Sequence, residues 1–229
     1  DNDLAAPISP DSGRHPLPDA SAFAEFLASL GWSPGTLLVA YDDGSNAIAS
    51  RLWWLMRYFG QAAALLDGGL AAWVAAGLPL ESGTIQQEPS EVTKLESDAR
   101  MMVSSGQLHN DIDAGRLMVL DARSPQRFSG RMETLDSKGG HIPGALNRPL
   151  ELNLTEDGKF KQPADLRSEF EAVLGGRDHS RVAHSCGSGV TACHNLFAME
   201  LAGLSGSLLY PGSWSEWTRD PARPIASGD

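Results

Sequence analysis

Residues 181–191 read Arg-Val-Ala-His-Ser-Cys-Gly-Ser-Gly-Val-Thr, a short stretch with the apolar pair Val182-Ala183 that runs into a loop with two glycines. A short apolar run followed by a helical pattern over residues 190–203 predicts a buried strand, a turn and a helix. The same order occurs earlier, where an apolar stretch at 37–41 precedes a polar loop and a helical pattern at 46–59. Strands that alternate with helices indicate an α/β fold with parallel sheets and helices on both faces.

These two segments belong to a longer internal repeat. With a constant offset in residue number, residues 19–73 align with residues 163–217 without a gap, and Gly31 and Gly175 are among the identical positions. The order of helices and strands also agrees between the copies, as expected for a repeat. The sequence therefore indicates two tandem domains.

We predict a first domain at residues 1–80, a linker at 81–100 and a second domain at 101–229. The linker is assigned because residues 81–98 are polar and show no apolar period. The second domain opens with a helix capped near Ser104 or Ser105 and a strand at 117–121, whose counterparts in the first copy would precede residue 1. We therefore expect the first domain to lack its N-terminal part, because the sequence is a piece of a longer protein or because that domain is unusually short.

The composition excludes several classes of function. A formal charge of -11 disfavours nucleic-acid or anionic-membrane partners, because phosphate binding depends on clustered Lys and Arg. No apolar stretch approaches the roughly 20 residues needed to span a bilayer. The two cysteines, Cys186 and Cys193, resemble neither a disulfide framework nor a metal-ligand set. We expect a cytoplasmic protein without a metal.

Cys186 is the strongest candidate for chemistry. It lies between a strand and a helix, at the carboxyl edge of a parallel sheet, where ligands bind. The amides and the positive potential of a helix N-terminus favour a thiolate, and Gly187 and Gly189 allow several N–H groups to face the sulfur. A free cysteine is often only a small buried residue, but the flanking glycines disfavour that interpretation here. Cys193, on an apolar helix face, is expected to have no chemical role.

The other copy has no sulfur at the corresponding position, where Asp42 stands opposite Cys186. The first domain is therefore predicted to carry a degenerate site, which leaves one active site per chain. A cysteine phosphatase would need an arginine six residues after the cysteine to bind phosphate. That residue is Ala192, so phosphatase chemistry is disfavoured.

Several motifs together resemble the two-domain rhodanese family. They are Cys-Gly-Ser-Gly-Val-Thr-Ala at 186–192, Gly-His-Ile-Pro-Gly-Ala at 140–145 and Leu-Asp-Gly-Gly at 66–69. The first is most similar to the 3-mercaptopyruvate sulfurtransferase branch. The resemblance implies two rhodanese-like domains that move a sulfane sulfur from 3-mercaptopyruvate, through a persulfide on Cys186, to a thiol such as thioredoxin or to cyanide. It implies no metal or organic cofactor.

The same resemblance implies roles for individual residues. Ser188, His15 and Asp3 would move protons at the substrate thiol beside Cys186, and Arg127 would hold the substrate carboxylate with its guanidinium fork. The predicted substrate-binding positions of the loop are Gly187, Gly189, Val190 and Thr191. The family's second substrate arginine has no match in residues 132–140, so Arg131 or Arg14 substitutes for it or the contact is absent.

Three alternatives remain open from the sequence. A thiosulfate:cyanide sulfurtransferase would share the mechanism, but the neutral Gly187 and Ser188 favour mercaptopyruvate over a dianionic donor. A non-catalytic persulfide carrier or protein-binding module would form the persulfide without rapid turnover. An inactive fragment is disfavoured because His15 and the whole second domain are retained.

Overall fold

The computed structural model describes residues 3–83 and 87–228. In the first half of the chain, two short parallel strands pair with Val39 opposite Ala64. Three helices accompany these strands. The elements are α1 (Ala20–Ser29), β1 (Leu38–Ala40), α2 (Ala49–Tyr58), β2 (Ala63–Leu65) and α3 (Gly69–Ala75).

The second half contains a four-stranded sheet in the order β4-β3-β5-β6, and all of its strands are parallel. Because β3 and β5 are its central strands, their carboxyl ends lie side by side. The elements are α4 (Ser105–Asp113), β3 (Met118–Asp121), α5 (Pro125–Phe128), β4 (Leu146–Asn147), α6 (Pro163–Leu174), β5 (Val182–Ser185), α7 (Ala192–Leu201), β6 (Leu208–Leu209) and α8 (Ser213–Trp217).

Local capping residues fix several of the helix ends. The Asp19 carboxylate accepts a hydrogen bond from the Ala22 N–H at the start of α1, and Ser104 caps α4 in the same way. Helix α6 ends at Gly175, whose φ of 58° lies in the left-handed region that glycine adopts most easily. The Ser104 cap lies where the sequence predicted the start of a helix.

The two halves share a hydrophobic core. Helix α2 contributes Trp53 and Trp54 to a buried cluster that also contains Cys193 and Leu196 of α7. The Trp53 and Phe197 rings meet edge to face with centroids 4.9 Å apart. Since α7 follows the cysteine loop directly, this packing places the first half of the chain against that loop.

The predicted α/β fold with parallel sheets flanked by helices is confirmed. Residues 81–83 and 87–98 of the expected linker contain neither helix nor strand, and residues 84–86 lie outside the described part. The proposed domain boundaries stay predictions. Within the described ranges, no helix has the length and apolar character needed to cross a membrane.

Candidate active site

The cysteine loop forms the floor of a cavity of about 360 Å³. Strand β5 ends at Ser185 and α7 begins at Ala192, so residues 186–191 make the turn between them. Cys186 is only 2% exposed, yet it lines this cavity, and its Sγ accepts a hydrogen bond from the Gly189 N–H at 3.2 Å. The sulfur therefore faces a cavity at the carboxyl edge of the sheet, as the sequence predicted.

The curl of the loop requires glycine at position 189. Gly189 has a φ of 77°, and a Cβ placed there would lie 2.3 Å from the carbonyl oxygen of Pro211. The loop is also fastened from the other side, because the N–H groups of Trp214 and Ser215 donate to the carbonyls of Cys186 and Gly187 at 3.0 and 2.9 Å. Any other residue at 189 would push the loop away from this support.

A histidine and a serine lie next to each other among the residues that line this cavity. The Nδ1 atom of His15 lies 2.7 Å from the Oγ atom of Ser188. Burial, together with the nearby positive charges of Arg14 and Arg51, lowers the pKa of His15 below its usual value near 6.5. His15 is therefore a neutral imidazole at neutral pH and is able to exchange a proton with the serine hydroxyl.

Two arginines flank the loop and line the same cavity. A Cβ at Gly187 would lie 2.9 Å from Nη2 of Arg14 and 3.3 Å from Nη2 of Arg127. Glycine at this position thus leaves room for both guanidinium groups next to Cys186. The pair offers N–H donors to a carboxylate, and Arg14 comes from the first half of the chain, whereas Arg127 follows β3.

Two of the predicted site residues lie elsewhere. Arg131 is exposed, its Nε donates to Ser129 Oγ at 3.0 Å, and it does not line the cavity. Of the two arginines considered from the sequence, the structure places Arg14 at the cavity. Asp3 is exposed and does not line the cavity, so its role in proton transfer stays a prediction.

The other predicted residues come together as expected. His15, Arg127, Cys186 and Ser188 all line the cavity, and the remaining predicted loop positions that line it are Gly187, Val190 and Thr191. Gly189, the remaining predicted loop position, donates its N–H to the Cys186 sulfur. Cys193 is fully buried, and burial raises its pKa to about 12, so its thiol is protonated and it stays without a chemical role.

Arg51 is a site residue that sequence reasoning missed. This α2 residue is 1% exposed; its Nη1 donates to the Gly189 carbonyl at 3.0 Å and its Nη2 to the His15 carbonyl at 3.2 Å. It therefore ties the histidine to the cysteine loop and holds a positive charge close to both. The sequence feature that could have indicated its role is its position as a charged residue directly before the apolar segment Leu52-Trp53-Trp54.

The corresponding loop of the first half is filled by its own carboxylate. Burial alone would raise the pKa of Asp42, but the N–H groups of Gly44, Asn46, Ile48 and Ala49 donate to its oxygens at 2.8 to 3.2 Å and hold the pKa below its usual value. The amides that would face an incoming anion are therefore already occupied. This arrangement supports the prediction of a degenerate first site.

The described residues offer no other obvious chemistry. Across residues 3–83 and 87–228, no group of three or more His, Cys, Asp or Glu side chains is arranged to hold a metal ion. The site consists of one thiol, a histidine–serine pair and arginines.

Comparisons with known proteins agree with this geometry. Residues 5–76 and 104–220 match the family model of the rhodanese-like domain. The chain is 45% identical over 232 residues to a probable 3-mercaptopyruvate sulfurtransferase of Pseudomonas aeruginosa, covering 100% of this chain and 81% of the relative. It is 39% identical to a putative thiosulfate sulfurtransferase of Mycobacterium tuberculosis, with 94% of this chain and 76% of the relative covered.

A solved structure is also similar. The 3-mercaptopyruvate sulfurtransferase from Leishmania major superposes with a TM-score of 0.81 at 32% identity. The match covers 95% of this chain and 61% of the Leishmania chain, so this chain spans less than two thirds of that protein.

Proposed function

Because this chain belongs to the rhodanese-like family, we propose that it is a sulfurtransferase that takes a sulfur atom from 3-mercaptopyruvate onto Cys186. The observation that carries the proposal is the 2.7 Å contact between His15 and Ser188 beside the thiol. The two arginines of the cavity support it, because a guanidinium suits a carboxylate such as that of the donor.

In the first half-reaction, the Cys186 thiolate attacks the sulfur of 3-mercaptopyruvate. The S–S bond forms as the C–S bond breaks, and its electron pair passes to the donor carbon as enolpyruvate. The proton that leaves the donor thiol travels through Ser188 and His15 and ends on that carbon, which gives pyruvate. Arg14 and Arg127 bind the donor carboxylate during this step.

In the second half-reaction, an acceptor thiolate attacks the outer sulfur of the persulfide. This attack releases the Cys186 thiolate and leaves the acceptor as a persulfide, whereas cyanide as acceptor leaves as thiocyanate. The Gly189 N–H donates to the Cys186 Sγ at 3.2 Å and would stabilise the thiolate that this step releases. We propose a thiol protein such as thioredoxin as acceptor, no metal or organic cofactor, and a cytoplasmic location.

The histidine–serine pair also separates the two donors suggested by relatives. Transfer from thiosulfate breaks an S–S bond and releases sulfite, so no proton has to reach a carbon atom. Transfer from 3-mercaptopyruvate does require that proton, and we assign its delivery to the hydrogen-bonded His15–Ser188 pair. Thiosulfate:cyanide transfer, favoured by the Mycobacterium tuberculosis relative's name, remains the second candidate.

The direct test compares the two cysteines. With 3-mercaptopyruvate and a thiol acceptor, the protein should release pyruvate, Cys186→Ser should abolish release and Cys193→Ser should retain it. Before acceptor is added, the protein should gain about 32 Da, the mass of one sulfur. Equal activity in the two variants would contradict the assignment, and a stable mass gain with negligible turnover would favour a persulfide carrier.

A further inference from the structure

The two arginines of the cavity share one buried carboxylate. Asp136 pairs with Arg14 through Oδ1 and with Arg127 Nη2 through Oδ2, the latter at 3.3 Å. Its side chain is 5% exposed. Asp136 therefore occupies part of the hydrogen-bonding capacity of both guanidinium groups before any donor arrives.

A second carboxylate completes a balanced cluster. Glu133 accepts from Arg127 Nη2 at 2.9 Å and lies 3.6 Å from Arg123 Nη1, while Arg123 pairs with Asp121 at 2.8 Å. Three N–H groups at residues 134–136 also donate to Glu133. In the described part of the chain, the ion pairs of this cluster join three guanidinium groups to three carboxylates, so the cluster carries no net charge.

We propose that Asp136 determines donor specificity by restricting the cavity to donors with one negative charge. This inference rests on the proposed function. At neutral pH the carboxylate gives 3-mercaptopyruvate a single negative charge, whereas thiosulfate carries two. Coulomb energy is proportional to the donor charge, so Asp136 repels a dianion about twice as strongly as a monoanion at the same distance.

The position of Asp136 makes this repulsion effective. Its carboxylate is buried, pairs with both arginines that flank Gly187 and does not itself line the cavity, so water screens it less than it would a surface charge. Arg14 and Arg127 keep 25% and 22% of their side-chain surface exposed. They can thus bind one carboxylate through their remaining N–H groups. Outside this neutral cluster, the described residues that line the cavity add one positive charge, that of Arg51, which balances a donor with one negative charge but not one with two.

The test is the ratio of kcat/KM for thiosulfate to kcat/KM for 3-mercaptopyruvate, with cyanide as acceptor for both donors. Asp136→Asn keeps the shape and removes the charge, and we expect it to raise the ratio about tenfold. Asp165→Asn is the matched control, because this exposed carboxylate of α6 does not line the cavity. Sulfate, an unreactive dianion, should also inhibit Asp136→Asn at lower concentrations than it inhibits the unaltered protein.

Each outcome decides the matter. A ratio that rises in Asp136→Asn and not in Asp165→Asn supports the proposal, and an unchanged or lower ratio in folded Asp136→Asn overturns it. If Asp136→Asn does not fold, Glu133→Gln removes the other charge held by Arg127 and must raise the ratio in its place. Absence of any turnover and of any mass gain on Cys186 in the unaltered protein would instead reject the proposed function.

Discussion

The Nδ1 atom of His15 lies 2.7 Å from the Oγ atom of Ser188, a contact between residues from opposite halves of the chain. Because the two side chains act on one proton, we expect His15→Gln and Ser188→Ala each to slow pyruvate release about a hundredfold. The double variant should be no slower than the slower single variant. Single-turnover kinetics with 3-mercaptopyruvate measure this effect.

Thiosulfate provides the control for this pair, since its half-reaction needs no proton on carbon. The same variants should form the Cys186 persulfide from thiosulfate with much smaller losses. Losses that multiply in the double variant would show that the two residues act independently.

The pH dependence follows from the lowered pKa of His15. The neutral imidazole predominates above the folded-state pKa, so activity should be lost as pH falls through a midpoint below 6.5. Arg14→Gln removes a positive charge that contributes to the lowering and should move the acid midpoint upward. The profile of kcat/KM against pH for 3-mercaptopyruvate gives both values.

Lys94→Gln serves as control, because this exposed lysine does not line the cavity. It should leave the midpoint in place. An acid limb at or above 6.5 in the unaltered protein would be inconsistent with a neutral His15 as the base.

Arg127 and Arg131 form a natural pair for testing the binding site. Arg127 lines the cavity and Arg131 does not, although they are only four positions apart in the sequence. Loss of a charged hydrogen-bond donor costs about 1.5 to 3 kcal/mol, so Arg127→Gln should raise the KM for 3-mercaptopyruvate at least about tenfold. Arg131→Gln should leave this KM unchanged. A comparable rise in KM would show that Arg131 does contribute to donor binding.

Alanine substitutions at Gly189 and Gly176 distinguish the cost of backbone strain from the cost of a steric clash. Both have positive φ, 77° and 83°, but a Cβ at Gly189 meets the Pro211 carbonyl at 2.3 Å, whereas a Cβ at Gly176 meets nothing within 4 Å. Gly176→Ala should cost about 1 kcal/mol of unfolding free energy, from backbone strain alone. Gly189→Ala should cost at least about 2 kcal/mol and also reduce persulfide formation. Urea unfolding measures the difference, and equal costs would contradict the collision.

Much of the fold was predictable because its signals are local. The short stretch at 181–185 with its apolar Val182-Ala183 pair, and the glycines after it, predicted a strand and a loop, and β5 and the cysteine turn are found there. Helix α7 begins at Ala192 rather than near residue 190, because residues 186–191 curl around the sulfur. The short α5 and β4 were not predicted, since four and two residues show no period.

The site was predictable only in part, because half of it comes from distant sequence. Cys186 could be identified from its own glycine-containing loop, which also carries Ser188. The resemblance to the rhodanese family identified His15. Arg131 was considered because it adjoins residues 132–140, which contain no match for the family's second substrate arginine, but nearness in sequence does not determine where a side chain points. Arg51 reaches the loop only through the packing of α2 against α7, which no spacing reveals.

The carboxylate of Asp42 has a consequence for chemical damage. Oxidants and alkylating reagents attack thiolates, whereas a carboxylate resists oxidation. The turn of the second half therefore presents the Cys186 sulfur to such reagents. The equivalent turn of the first half is filled by the Asp42 carboxylate, which accepts hydrogen bonds from four backbone N–H groups. Under oxidative stress, the loop that carries Asp42 should keep its shape when Cys186 is oxidised. The protein can therefore lose its activity without unfolding of the first half.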